Sequence, residues 1–364
     1  MVAAITSLFL CLAVQRFRLR AVAQYDGRRF HGVQKNVRTQ DGAPLRTVLL
    51  TLEQALWPAL GRQVKIGVAG RTDAGVSAEG QVIIFDADTL DGEAACVSVD
   101  GSAVRVPDLA GALNAHLPAD LQLKRVDVVP SRFDVVRCRW KRYRYRLPST
   151  SDDEERRVLK LVATHAARAE RQRREEGLDP EQAGLPPPRS RKQRRREAAQ
   201  QPLHISDVSA MQAAASLLCG THDFAAFQSS GGDQRSTTRT VYRCVVEPRC
   251  GELVGGSGEA EVAYDVVVEG DGFLYRMVRI IAGTLLMVGM GFAPAETVLT
   301  ALAADAGSDG GRCGGGGGGG HCPKAEMRMR GIVGPVLPPE GLCLEHIEYD
   351  REHSSVSGAR RREL

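Results

Sequence analysis

The stretch Gly70-Arg71-Thr72-Asp73-Ala74-Gly75-Val76 decides the reading of this chain. It follows an apolar, β-leaning run from Val64 to Ala69, and a second such run, Gln81 to Phe85, comes after it. Strand, Gly-bounded loop and strand is the simplest local structure. The loop holds one carboxylate, Asp73, and its nearest charge is the guanidinium of Arg71. Cations around an aspartate keep it ionised, which fits a nucleophile or an electrostatic partner. An aspartate in a Gly-containing loop also serves as a turn residue that caps nearby backbone, and the spacing alone leaves both roles open.

Working outward, Phe17 to Gln24 reads as a strand closed by the turn signal Tyr25-Asp26-Gly27. Thr47 to Leu56 carries leucines at helical spacing, and Pro107 to His116 reads as a second helix with proline in its first turn. Leu121 to Val129 and Val135 to Leu147 read as strands. This order predicts an α+β domain with mixed or antiparallel pairing over residues 16–150. Residues 151–201 are highly charged, contain Pro186-Pro187-Pro188 and a basic run from Arg189 to Arg196, and read as a flexible insertion in which Val158 to Arg174 has partial helical character. A second α+β block spans 202–350, with a helix over Asp207 to Leu218, strands at Arg239 to Val246 and Ala260 to Glu269, a long apolar helix from Leu274 to Met290 and a last strand from Gly341 to Tyr349. Within it the glycine-rich run 307–322 reads as a flexible loop. Residues 1–15 read as a leader and 351–364 as a tail, both outside the folded blocks.

With 364 residues, 43% hydrophobic and 25% charged, the composition is that of a globular protein, and the net charge of +4 does not by itself select a nucleic-acid partner. The nine cysteines are scattered without a C-x-x-C pair, which argues against a disulfide framework and a zinc ribbon; Cys313, His321 and Cys322 have poor zinc spacing. The apolar segment Ile5 to Val14 is too short to span a membrane.

Two further groups stand out. Arg279 lies in the apolar run Met277-Val278-Arg279-Ile280-Ile281, so it is either an exposed helix position or a buried charge that needs a partner. Tyr143 and Tyr145 lie two apart on a strand and share a face, in core packing or against a flat ligand. They are interleaved with Arg142 and Arg144, a pattern that combines phosphate attraction with stacking surfaces when it faces RNA.

Several separated pieces carry a resemblance to one family. Tyr25-Asp26-Gly27 with Phe30-His31-Gly32-Val33-Gln34, the Asp73 loop, Arg142-Tyr143-Arg144-Tyr145, Gly220 to Phe224 with Arg239-Thr240, Phe273 to Arg279 with Gly283-Thr284-Leu285, and Gly341 to Leu344 together resemble the TruA-type tRNA pseudouridine synthases. The chain departs from that pattern at Ser77, where the family carries histidine, and at Val33, where it carries tryptophan. The resemblance implies two α+β halves whose antiparallel or mixed sheets join across a central cleft, the pseudouridine synthase fold. It implies an isomerase acting on tRNA as a homodimer, with uridines of the anticodon arm as targets and with no metal, nucleotide or other cofactor. By resemblance Asp73 is the catalytic residue, Arg279 its ion-pair partner, Tyr143 the residue against the base and Leu342 an apolar wall of the pocket, with Arg71 also on the substrate. Arg28, Arg29, His31, Gln34, Arg142 and Arg144 are the expected RNA contacts. An RNA-binding or tRNA-folding protein that keeps the cleft with little chemistry is the alternative.

Overall fold

A computed structural model describes residues 16–35, 39, 41–88, 96–148, 153–177, 205–231, 236–254, 261–303 and 331–350. The leader, the tail, the basic run Arg189 to Arg196, the Gly-rich run and the Cys313–His321–Cys322 group lie outside the described residues. The fold is α+β, and the chain divides into two compact units, one of Met1–Arg139 with His346–Leu364 and the other of Trp140–Glu345.

In the first unit the central strand is Arg16–Tyr25 (β1). Its alternation places Leu19, Ala21, Ala23 and Tyr25 in the core and the arginines on the other face. It pairs antiparallel with Ser77–Asp88 (β3) on one side and Leu121–Val129 (β6) on the other. On the arginine side, Arg18 meets Asp86 at 3.0 Å and Arg20 meets Asp127 at 3.0 Å, cross-strand ion pairs that match the antiparallel register. Helix Val48–Ala59 (α1) starts on Thr47, whose hydroxyl accepts from the Leu50 N–H at 3.4 Å, and buries Val48, Leu52, Leu56 and Ala59 along one stripe.

The expected strand before the Asp73 loop is reduced to Gly67–Val68 (β2), which pairs with β3. A hairpin not foreseen from the sequence, Cys96–Val99 (β4) and Ser102–Arg105 (β5), turns at Asp100-Gly101, both with positive φ. The second expected helix is a 3-10 turn, Val106–Asp108, running into the short helix Leu109–Asn114 (α2).

The second unit holds Trp140–Arg146 (β7), Gly220–Asp223 (β8), Thr238–Val254 (β9), Glu261–Gly270 (β10) and Leu342–Glu348 (β11), of which the first four residues belong to this unit. They run in the order β11-β7-β10-β9-β8, with β7–β10, β10–β9 and β9–β8 antiparallel. Strand β7 therefore belongs with the second unit and not with the first half, because its hydrogen bonds run to β10, more than a hundred residues further along the chain.

Helix Val208–Leu217 (α4) is capped by Asp207, which accepts from the Ala210 N–H at 2.8 Å. Helix Met277–Gly289 (α5) is buried along its whole length, so its all-round apolar sequence is that of a core helix. A final short helix, Thr297–Ala303 (α6), follows.

Residues within the stretch expected to be a flexible insertion form a regular helix, Asp153–Glu175 (α3). Leu159, Val162 and Ala169 are buried on one side of it, and the His165 Nε2 lies 3.1 Å from the Val333 carbonyl. The charge density of this segment hid a sparse apolar stripe at i, i+3 and i+10, which is enough to seat one face of the helix against α5 and against Gly331 and Val333.

Candidate active site

The Asp73 loop is held from both ends by the segment that follows β1. The Val33 N–H donates to the Thr72 carbonyl at 3.2 Å, and the Gly75 N–H donates to the Phe30 carbonyl at 3.3 Å. The Val76 N–H closes the turn on the Asp73 carbonyl at 3.2 Å. Gly27 packs so closely that a Cβ there would stand 2.1 Å from the Val76 carbonyl carbon, so this position accepts only hydrogen. Ser77, the departure from the family histidine, has its own use: its Oγ accepts from the Gly27 N–H at 3.0 Å and joins the two segments.

Asp73 is half-buried on this loop and Arg71 is exposed beside it. Of the expected RNA contacts in the first unit, Arg28, Arg29, His31 and Gln34 are all exposed on the adjoining segment. Arg28 is paired to Asp26 at 2.7 Å, and Arg29 lies 3.9 Å from Asp120. Asp120 is gripped more firmly by Arg46, at 2.7 and 2.8 Å, which holds its carboxyl below the usual carboxylate range; Arg46 also lies over the Phe30 ring at 4.4 Å.

The second unit assembles Arg279, Tyr145 and the start of β11 on one extended segment. Arg279 lies in the first turn of α5 and is buried, and its Nε donates to the Leu337 carbonyl at 2.6 Å. The next carbonyl, that of Pro338, accepts from the Tyr145 hydroxyl at 2.9 Å. Burial pushes that phenol well above its ordinary range, so it stays a neutral donor. Gly283 lets the segment reach the helix: a Cβ on it would lie 2.1 Å from the Pro335 carbonyl oxygen.

Tyr143 is buried on the same face of β7 and stands edge-on to Phe273, with ring centroids 5.2 Å apart. Leu342 is buried at the first position of β11. Residue Arg276, immediately before α5, takes a left-handed conformation with φ 60°.

Arg142 and Arg144 do not share that face with the tyrosines. The strand alternation turns them to the other side, where Arg142 donates to Glu269 at 2.8 Å and Arg144 pairs with Glu345 and, at 3.0 Å, with Asp265. The Glu345 hydrogen bond leads in holding the Arg144 guanidinium further above its ordinary range, followed by Asp265. The two tyrosines and the two arginines thus split onto opposite faces of the strand, with Arg142 over the Trp140 ring at 5.5 Å on the ion-pair side.

Residues 214–312 match the family model described as tRNA pseudouridine synthase. The chain is 31% identical over 333 residues to tRNA pseudouridine synthase A of Myxococcus xanthus, covering 91% of this chain and 92% of that one. It is 31% identical over 339 residues to tRNA pseudouridine synthase A of Anoxybacillus flavithermus, covering 92% and 99%, and 28% identical over 332 residues to that of Acetivibrio thermocellus, covering 91% and 99%. The chain belongs to the tRNA pseudouridine synthase A family. It is therefore an isomerase, and its α+β units with antiparallel sheets suit the pseudouridine synthase fold.

Within that family identity, Tyr25, Thr72 and Gln81 are the residues that sequence reasoning left without a role. Gln81 is fully buried at the head of an otherwise apolar strand run, and a lone polar residue in such a run was the available signal. No helix among the described residues is long and apolar enough to cross a membrane, and no group of three or more His, Cys, Asp or Glu side chains among them could hold a metal ion.

Proposed function

We propose that this chain converts uridines of the tRNA anticodon arm into pseudouridine, with Asp73 as the reacting carboxylate. The observation that carries the reading is the Asp73 loop: an aspartate on a short turn tied at both ends to the Phe30–Val33 backbone, in a chain that aligns almost end to end with tRNA pseudouridine synthase A relatives. The reaction breaks the bond between C1′ and N1 of uridine and forms one between C1′ and C5. The proton on C5 is lost and N1 ends protonated, so atoms and electrons balance without an oxidant or reductant. Asp73 acts on the ribose side, and the base is held while it turns.

In this reading Arg279 pairs with Asp73 and aims it, Tyr143 lies against the base, and Leu342 walls the pocket. Arg71, with the exposed Arg28, Arg29, His31 and Gln34 of the same unit, contacts tRNA. The ion pairs of Arg142 and Arg144 favour a structural role for those two over phosphate binding. Two copies of the chain present one tRNA.

The test is chemical mapping of pseudouridine in unmodified tRNA incubated with the purified protein. Wild type modifies anticodon-arm positions, and Asp73→Asn loses at least ~10³-fold in rate while binding tRNA within about threefold. Asp73→Asn modifying tRNA at the original rate overturns the assignment, and a wild-type protein that binds tRNA without forming product favours the folding-protein alternative. Modification confined to another part of tRNA overturns the anticodon-arm choice alone.

A further inference from the structure

Three buried polar side chains, one on the Asp73 loop and two on the strands that flank it, are joined by hydrogen bonds. Gln81 is 0% exposed, Tyr25 5% and Thr72 7%. The Gln81 Nε2 lies 2.9 Å from the Gly70 carbonyl and 3.4 Å from the Tyr25 hydroxyl, and that hydroxyl lies 2.8 Å from Thr72 Oγ1. Gly70 and Thr72 are the loop residues on the amino-terminal side of Asp73.

The chemistry orients the amide at one end of this group. A carbonyl only accepts, so the nitrogen end of the Gln81 amide faces Gly70. The same nitrogen donates to the Tyr25 oxygen. The Tyr25 and Thr72 hydroxyls then share one hydrogen bond, in which either can donate.

Two features mark the arrangement as more than core filling. The other end of the amide, Gln81 Oε1, is buried with no hydrogen-bond partner among the described residues, a state that an apolar residue of similar size would avoid. The β1–β3 pairing also shifts register between Ala23 and Tyr25, at the point where Tyr25 reaches the loop. A bulge of this kind re-aims a side chain.

We propose that Gln81, Tyr25 and Thr72 are positioning residues that fix the Asp73 loop in a single reactive orientation. The proposal rests on the reading of Asp73 as the reacting group. Gln81 anchors the loop backbone at Gly70, and the two hydroxyls anchor it one residue before the carboxylate. Their loss leaves the fold and the tRNA-binding surface in place but lets the carboxylate wander, and misplacement by about 1 Å can cost ~10²-fold in rate.

The experiment compares Thr72→Val, Thr72→Ser, Tyr25→Phe and Asp73→Asn in the full chain by steady-state pseudouridylation of tRNA and by thermal melting. Thr72→Val and Tyr25→Phe lower kcat by ~10-fold or more with KM for tRNA within about twofold, while Thr72→Ser, which keeps the hydroxyl, retains kcat within about threefold. Unchanged kcat in both hydroxyl deletions overturns the proposal, as does a Thr72→Ser as slow as Thr72→Val. Loss of activity that only tracks a fall in melting temperature assigns the relay to stability and overturns it too. Should Thr72→Val fail to fold, Tyr25→Phe and Thr72→Ser decide by the same kcat criterion. Asp73→Asn separates the two levels: its remaining active fails the underlying reading, whereas an inactive Asp73→Asn beside fully active Tyr25→Phe and Thr72→Val fails only the positioning proposal.

Discussion

The Asp73 loop and the Arg279 helix are held by opposite means. Asp73 sits half-buried on a loop fixed by hydrogen bonds to neighbouring backbone and by the Tyr25–Thr72–Gln81 group. Arg279 sits on a helix buried at every residue, and its side chain is fastened to the Leu337 carbonyl. A loop tied by individual polar contacts can lose one of them and stay folded, whereas a charge set in a core helix is coupled to packing. Substitutions around Asp73 should therefore separate rate from stability, and those around Arg279 should move both.

After the loss of rate in Asp73→Asn itself, the largest effect that tests this contrast is expected at Arg279. Arg279→Lys keeps the positive charge but loses the planar fork and the Nε–H that meets Leu337. We expect pseudouridylation to fall by ~10²-fold or more with a lowered melting temperature, against an Asp73→Asn that loses its rate with melting nearly unchanged. An Arg279→Lys protein with wild-type melting and wild-type rate would erase the difference between the two regions.

Next in size are two packing substitutions within the second unit. Gly283→Ala drives a methyl into the Pro335 carbonyl, 2.1 Å from where the new Cβ would sit. Backbone cannot yield as a flexible side chain does, so a loss of ~2–3 kcal/mol in unfolding free energy is expected from chemical denaturation. Leu159→Ala removes a fully buried side chain from α3 and should cost ~2–3 kcal/mol if that helix is an integral part of the unit. A Leu159→Ala effect below ~0.5 kcal/mol would return this segment to the solvated insertion that its composition suggests.

These residues also mark where the sequence was readable. Strand β6 was legible to the residue and β1 to within one residue at each end, because one-sided burial imposes strict alternation on Leu19, Ala21 and Ala23 and on Leu121 and Leu123, whereas β3 runs four residues before and three beyond the Gln81 to Phe85 stretch read from its apolar centre. Thr47 and Asp207, each read as the first residue of its helix, are instead the cap residues, where a helix start needs an oxygen acceptor. What failed were long-range facts. Strand β7 looks like a continuation of the first half because chain order is all that a sequence displays, yet its partner is β10.

The helical character of Val158 to Arg174 was legible, but the packing of α3 was not, because three buried residues among many charges do not outweigh the composition, although tertiary contact with Gly331 and Val333 does. The β4–β5 hairpin turns on Asp100-Gly101, both with positive φ, and this Asp-Gly pair was a hairpin signal present in the sequence and not used. Of the candidate site, the motif residues could be named from the sequence. That Arg142 and Arg144 turn away from Tyr143 follows from strand alternation and was overlooked in favour of their proximity in the chain.

The smallest effect concerns the ion pair beside the Asp73-supporting segment. Arg46 binds Asp120 through two hydrogen bonds, and those bonds hold the Asp120 carboxyl below its ordinary value while raising that of Arg46. A carboxyl whose folded value is depressed contributes stability above its unfolded value of about 3.9, and this contribution is lost as pH falls through the folded value. Because the Arg46 side chain is 40% exposed, solvent screening limits the pair to ~0.5–1 kcal/mol. Asp120→Asn should therefore melt slightly below wild type at pH 7, by an amount that shrinks in added salt, and the two curves should converge as pH drops below about 4. Its pseudouridylation rate should stay within about threefold of wild type, since Arg46 keeps its place over the Phe30 ring and the backbone ties of the Asp73 loop remain. A gap in melting that widens toward acid would mean that the carboxyl is destabilised in the folded state, and a large fall in rate would mean that this polar pair, unlike its exposed setting implies, is coupled to the loop as tightly as Arg279 is to its helix.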